Sequence, residues 1–243
     1  MENSKLILLP GLNKQISFLL NKVEVENFNI LVVGSGSVQV AQALQNKSSK
    51  NVEVIVEDYE SLINSNLSLN DDDSVQIKLM DFERTDYDNE TFDLVFAQGS
   101  ISNFRRNKIV KELKRVLKAK SYFCVGEVIK LQEEVPIYVD EIFENSDLNP
   151  MLRDELKKYY SDRKFEPIDW LDISFTLNEY YSTNEKMLRR KIEDLTENEK
   201  SYYKKLVNKI SHESKAYLRH GADKFIGFEA LLLKKNNIKN KKS

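Results

Sequence analysis

The stretch Ile30–Ser37, ILVVGSGS, constrains this chain more than any other. A continuous apolar run of this kind is a strand buried on both faces, and such a strand needs helices packed above and below its sheet. It feeds directly into a turn with glycine at 34 and 36, and Val38–Leu44 then carries the small and apolar residues of a short helix. Glycine lets the backbone turn sharply and approach a ligand, while the free N–H groups that open a helix favour an electron-rich partner. A Gly-x-Gly turn also joins strand to helix where no ligand binds, so it needs support from elsewhere in the chain.

The same pattern recurs downstream. Val52–Val56 (VEVIV), Val75–Leu79, Phe92–Ala97 (FDLVFA) and Tyr122–Ile129 (YFCVGEVI) read as further strands. Between Asn107 and Leu117 the residues Ile109, Leu113, Val116 and Leu117 fall on one helical face. Strands alternating with helical or crossover-length segments predict an α/β fold, with helices on both faces of a parallel sheet.

The second half is mostly helical. Asn149-Pro150 has the form of a helix start, with Leu152, Leu156, Tyr159 and Tyr160 as the buried face. Trp170–Leu177 (WLDISFTL) reads as a strand and Ile226–Leu233 (IGFEALLL) as the last one. Ser182 with Glu185, and Thr196 with Glu199, have the capping-box spacing. Two helices are expected after them, one burying Leu188, Ile192 and Leu195, the other Tyr203, Leu206, Ile210 and Tyr217, with Gly221 ending the second. Asp71–Asp73 reads as a solvated turn and Lys234–Ser243 as a frayed polar tail. No internal repeat or long linker divides the 243 residues, so one elaborated domain is expected.

Composition excludes several classes of function. With 37 basic and 39 acidic side chains, the net charge of -2 gives no global attraction to nucleic acid or an anionic membrane. The longest apolar runs, Leu6–Leu9 and Ile30–Val33, fall far short of the roughly 18 residues of a membrane span. The single cysteine, Cys124, excludes an internal disulfide framework and a multi-cysteine metal site, and it reads as core. A cytoplasmic protein with no bound metal is the expectation.

Candidate site residues stand at the ends of successive strands. Glu57 follows the second strand, about 20 residues past the glycines, where an acid accepts hydrogen bonds from both hydroxyls of a ribose. Asp81-Phe82 follows the third strand, an acid and an aromatic at the level of an adenine, and Gln98-Gly99-Ser100 follows the fourth. In an open α/β sheet these ends line one crevice. Each residue also has a plain structural use, as a strand-end cap, a turn residue or a core aromatic.

Residues 29–130 resemble the core of class I S-adenosylmethionine-dependent methyltransferases, especially the small-molecule group. ILVVGSGS resembles the family's glycine-rich first motif and VIVEDYE its second-strand acid. MDFERTDYDNETFDLVFAQGS resembles the stretch from the adenine-contacting acid to the fourth strand, and RNKIVKELKRVLKAKSYFCVGEVI the helix and strand that follow.

The resemblance implies a Rossmann-like, mostly parallel seven-stranded sheet whose last strand is an antiparallel insertion between the fifth strand and Trp170–Leu177. It also implies a cofactor-binding core over 22–130 and a C-terminal part over 131–225, with a helical lid around 182–221. The final strand would occupy 226–234, and the tail 235–243. S-adenosyl-L-methionine is the implied cofactor. Gly34, Ser35 and Gly36 would face its methionyl part, Glu57 its ribose, Asp81 and Phe82 its adenine, and Gln98 its sulfonium end.

The implied reaction is methyl transfer to a small-molecule acceptor. AQGSI after the fourth strand lacks the Asn/Asp-Pro-Pro-aromatic pattern associated with methylation of nucleic-acid bases. Glu127 and His220 are the available general bases, although a histidine beside a helix-ending glycine is more often a cap. No catalytic residue is assigned. Phe104, Tyr180 and Tyr181 are candidates for an aromatic lid over the sulfonium.

Three positions depart from the family's pattern: Val32 replaces an acid, Val38 a small residue, and Ala119-Lys120-Ser121 a Pro-Gly-Gly-like turn. Val32 and Val38 motivate a rival reading, a non-catalytic methyltransferase fold acting as a partner subunit. A nicotinamide-dependent oxidoreductase is the other rival, weakened by Gln39 at the third glycine of its fingerprint.

Overall fold

The computed structural model describes residues 6–70 and 74–236. The expected turn at Asp71–Asp73, and the tail from position 237 onward, lie outside the described residues. Helix α1 (Leu12–Leu20) comes first, a helix for which the sequence carries only a short apolar pattern. The alternating region follows as β1 (Ile30–Val33), α2 (Val38–Gln45), β2 (Val52–Val56), α3 (Tyr59–Leu67), β3 (Gln76–Leu79), β4 (Phe92–Gln98), α4 (Arg106–Val116) and β5 (Leu117–Lys130). After it come α5 (Ile137–Asn145), β6 (Met151–Leu152), α6 (Arg153–Asp162), β7 (Phe165–Asp172), α7 (Thr176–Asp194), α8 (Glu197–Arg219) and β8 (Ile226–Lys235).

The sheet order is β3-β2-β1-β4-β5-β8-β7. The first five strands run parallel, and β8 lies antiparallel between β5 and β7 as expected. The sheet has eight strands rather than seven, because the two-residue β6 pairs with Ile129 and Lys130. Period-2 alternation gives each buried strand two apolar faces. Val32, Val54, Phe96, Cys124 and Phe228 meet α1, α2, α5 and α8, while Leu31, Ile55, Val95, Phe123 and Leu231 meet α4 and α6.

Three expected boundaries move. The seventh strand ends at Asp172 because the Asp172 carboxylate accepts from the Ser174 N–H at 2.9 Å, an Asx turn that diverts the chain into α7. The expected strand over Trp170–Leu177 therefore begins earlier, at Phe165. Asn149 does not cap a helix. Its N–H donates to the Ser102 carbonyl at 2.8 Å, and the helix begins after β6. Ser182 lies inside α7 with its hydroxyl on the Glu179 carbonyl, so this helix starts six residues before it, at Thr176.

The Thr196–Glu199 capping box does form: the Glu199 carboxylate accepts from the Thr196 N–H at 2.8 Å. Gly221 follows the end of α8 with a φ of 84°. Helices α7 and α8 make a hairpin whose inner ends are joined to each other by the stacked rings of Tyr181 and Tyr217, 4.6 Å between centroids. Leu188, Ile192 and Leu195 are only half-buried and Tyr203 is exposed, because the outer hairpin packs on itself rather than on the core.

Candidate functional site

Parallel pairing of β1 with both β2 and β4, and of β2 with β3, brings the carboxyl ends of four strands side by side. The glycine turn leaves β1 at this edge. Gly34 has a φ of 126° and Gly36 a φ of 74°, values that side-chain-bearing residues rarely adopt. The two glycines do different work. A Cβ on Gly34 would stand 2.5 Å from Ser100 Cβ, so Gly34 admits the loop after β4. A Cβ on Gly36 would meet only Leu9 Cδ2, at 3.4 Å, and Gly36 is exposed along with Ser35. The Ser35 hydroxyl donates to Ser61 Oγ at 2.7 Å, and Ser61 in turn donates to Asp58, which caps α3 and is held below the usual aspartate range by the Ser61 N–H.

Glu57 follows β2 with its side chain 26% exposed. Its Oε1 accepts from the Phe82 N–H at 3.0 Å, and its Oε2 accepts from the Arg105 guanidinium. Arg105 also lies 3.8 Å from Asp81 and 3.6 Å from Glu83. Asp81 is exposed and accepts from the Glu83 N–H at 2.8 Å. The Phe82 ring packs in the core with Leu31, Ile55 and Phe92, so this residue offers the site its backbone N–H rather than its face.

Gln98 ends β4 and is 2% exposed. Its amide nitrogen donates to the carbonyls of Pro10 and Leu12, at 2.9 Å each, tying the start of α1 over the sheet edge. Two carbonyl acceptors fix the orientation of that amide, and Gln98 Oε1 is left buried with no donor. Gln15 of α1 repeats the arrangement one strand further on. Its nitrogen donates to the Ala97 carbonyl at 2.9 Å, and its Oε1 lies unpaired against Gly126. Sequence reasoning missed Gln15, Pro10 and Arg105. Their spacing marks nothing, and only the pairing of α1 and the β4–α4 loop with distant strand tips reveals them.

The candidate bases have structural work. Glu127 is fully buried and both its oxygens are engaged, by Ser102 at 2.6 Å, Tyr160 at 2.5 Å and the Arg106 guanidinium at 3.2 Å. His220 is exposed at the end of α8, where its N–H donates to the Ala216 carbonyl. Burial pushes the Cys124 thiol up to about 12, the behaviour of a core residue. Phe104 is 69% exposed, whereas Tyr180 and Tyr181 pack together at the root of the hairpin. Val32 and Val38 are buried in the core. Among the described residues no cluster of three or more metal-ligating side chains occurs, and no helix is long and apolar enough to cross a membrane.

The edge fits a nucleoside bearing a positive charge. Gly36 leaves its side of the turn open, Glu57 is a fixed acceptor one strand away, and Gln98 Oε1 is a buried carbonyl dipole without a partner. An unpaired buried acceptor is costly unless a donor or cation meets it.

Comparison with known proteins agrees with the geometry. Residues 31–125 match a family model described as a methyltransferase domain. No curated protein matches the chain. Among solved structures, the 4+2 cyclase SpnF is 18% identical, with 91% of this chain and 79% of that one covered at a TM-score of 0.74. A putative sarcosine dimethylglycine methyltransferase from Galdieria sulphuraria is 15% identical, covering 91% and 84% at 0.71. A geranyl diphosphate C-methyltransferase from Streptomyces coelicolor A3(2), solved with Mg2+, geranyl diphosphate and S-adenosyl-L-homocysteine, is 15% identical, covering 91% and 76% at 0.66. Solved structures with this fold hold S-adenosylmethionine or S-adenosylhomocysteine, in agreement with the expected cofactor. Residues 31–125 thus match a methyltransferase domain, and the chain as a whole has the fold of class I S-adenosylmethionine-dependent methyltransferases.

Proposed function

We propose that the protein transfers a methyl group from S-adenosylmethionine to a small-molecule acceptor. The observation that carries this reading is the Glu57 carboxylate, aimed by the Phe82 N–H at the tip of β2, one strand from the glycine turn. Glu57 would receive the ribose hydroxyls and Asp81 the adenine amino group. The turn Gly34–Ser35–Gly36 would lie against the methionyl part, and Gln98 Oε1 would face the sulfonium end. When bound, the cofactor supplies a methyl group already activated for in-line displacement.

The protein's share is positioning and exclusion of water. Gln98 draws Pro10 and Leu12 over the strand tips, and α7 with α8 is read as the lid that the resemblance implies. Glu127, with both oxygens engaged in a buried network, is not free to take a proton, which favours an acceptor that needs no base from it. Solved structures of the same fold whose names specify small acceptors support that acceptor class.

A second reading, a non-catalytic partner subunit, draws on Val32 and Val38, where the family carries other residue types. Calorimetry with S-adenosylmethionine, S-adenosylhomocysteine and NAD separates the readings. Binding of the first two at micromolar concentration is expected. Binding of NAD alone would overturn the proposal, and no binding of any would favour the subunit.

A further inference from the structure

We propose that Arg105 is a latch on the nucleoside half of this site, and that the ribose hydroxyls of the cofactor must displace its guanidinium from Glu57 to bind. The inference rests on the cofactor reading above and adds a competitor built into the chain.

Arg105 is the last residue of the loop between β4 and α4, and its N–H is fixed by Asn103 Oδ1 at 2.9 Å. From there its side chain spans the tips of β2 and β3. It donates to Glu57 Oε2, lies 3.8 Å from Asp81 Oδ1, and its Nε is 3.6 Å from Glu83 Oε1. Two of these three acids are the residues assigned to ribose and adenine.

The same loop closes on the other half of the site through Ser100, whose hydroxyl donates to the Val33 carbonyl at 2.6 Å while its Cβ fills the space beside Gly34. One short segment thus touches both the glycine turn and the nucleoside acids. Lys108 on α4 pairs with Glu83 at 2.9 Å, so Glu83 keeps a cation when Arg105 leaves, whereas among the described residues no other cation pairs with Glu57.

The physical consequence is competition between a charged and a neutral partner for one carboxylate oxygen. Glu57 Oε1 stays on the Phe82 N–H, and Oε2 can accept either the guanidinium or a ribose hydroxyl. The Arg105 side chain is 40% exposed, so the ion pair is weakened by salt, while hydroxyl binding is much less affected.

The test is calorimetry of S-adenosylhomocysteine and adenosine binding to wild type, Arg105→Gln and Arg105→Ala, at about 50 mM and 500 mM salt. The variants are expected to bind both ligands roughly three- to tenfold more tightly than wild type at low salt. The advantage should shrink at high salt, because screening releases the wild-type latch. Agreement of the two variants, with unchanged melting temperatures, guards against a folding artefact. Weaker binding by both would show that the guanidinium holds the cofactor instead. Unchanged affinity with intact wild-type binding would leave only a surface ion pair; either result overturns the latch alone. If wild type and variants bind neither ligand, the cofactor reading fails and the latch falls with it.

Discussion

Glu127 on β5 and Glu229 on β8 stand directly opposite one another in the antiparallel pair, on the same face of the sheet. Both are buried, but their surroundings differ. Glu127 is surrounded by Ser102, Tyr160 and Arg106, whereas Glu229 has Arg153 at 3.1 Å from one oxygen and nothing on the other. Burial pushes the Glu229 carboxyl above its ordinary value of 4.5, against the pull of Arg153 and Lys157.

A raised carboxyl pKa in the folded state contributes stability that is complete below pH 4.5 and is lost as pH rises through the shifted value. Glu229→Gln is therefore expected to melt higher than wild type at pH 8, with the difference shrinking towards pH 5. Thermal unfolding across that range checks the sign, and a gap independent of pH would refute it.

Glu127→Gln is expected to behave in the opposite way. It strips the buried Arg106 of its countercharge, so it should cost about 3 kcal/mol in urea denaturation. An essentially neutral substitution would show that the network around Glu127 is dispensable.

The two glycines of the turn should separate fold from site. Gly34→Ala drives a methyl group into Ser100 at a φ of 126° and is expected to lower stability by about 2–4 kcal/mol. Gly36→Val adds bulk on the exposed side and strains a φ of 74°, so it should lower stability somewhat and also lose S-adenosylhomocysteine affinity, read by calorimetry on protein whose circular dichroism is native.

Glu57→Ala removes the acceptor assigned to the ribose. The cofactor's dissociation constant should rise by the equivalent of about 1–3 kcal/mol, the range for charge-assisted hydrogen bonds. An unchanged constant in a folded variant would count against the assignment.

Tyr217→Ala should loosen the α7–α8 hairpin, because the Tyr181–Tyr217 stack joins its two helices near the body. A loss of about 2–4 kcal/mol is expected, with earlier proteolysis between positions 186 and 209 as the local readout.

Strands β1 to β5, the glycine turn and the Thr196 cap were legible because each is local: period, glycine and cap chemistry act within a few residues. The existence of β8 was legible from its mostly apolar run, broken only by Glu229, whereas its insertion between β5 and β7 was implied by the family resemblance. The seventh strand was placed five residues late, because the Asp172 turn competes with an apolar pattern that continues through Ile173, Phe175 and Leu177. Helix α1 escaped notice because its value is entirely tertiary: Gln15 lodges over Gly126, and Leu12 offers its carbonyl to Gln98.

Glu57, Asp81 and Gln98 could be named from their places after strands, but a strand's end does not say what a side chain touches. The register of β1 with β2 and β4, and the path of one loop, decided that Phe82 gives a backbone N–H, that Gln98 holds α1, and that Arg105 sits on Glu57. The sequence by itself determined the sheet, its turn and the acids at its edge, since hydrophobic period and backbone stereochemistry are short-range. Only the tertiary structure decided their partners, because hydrogen bonds and ion pairs between residues 25 to 88 positions apart exist only once the strands are side by side.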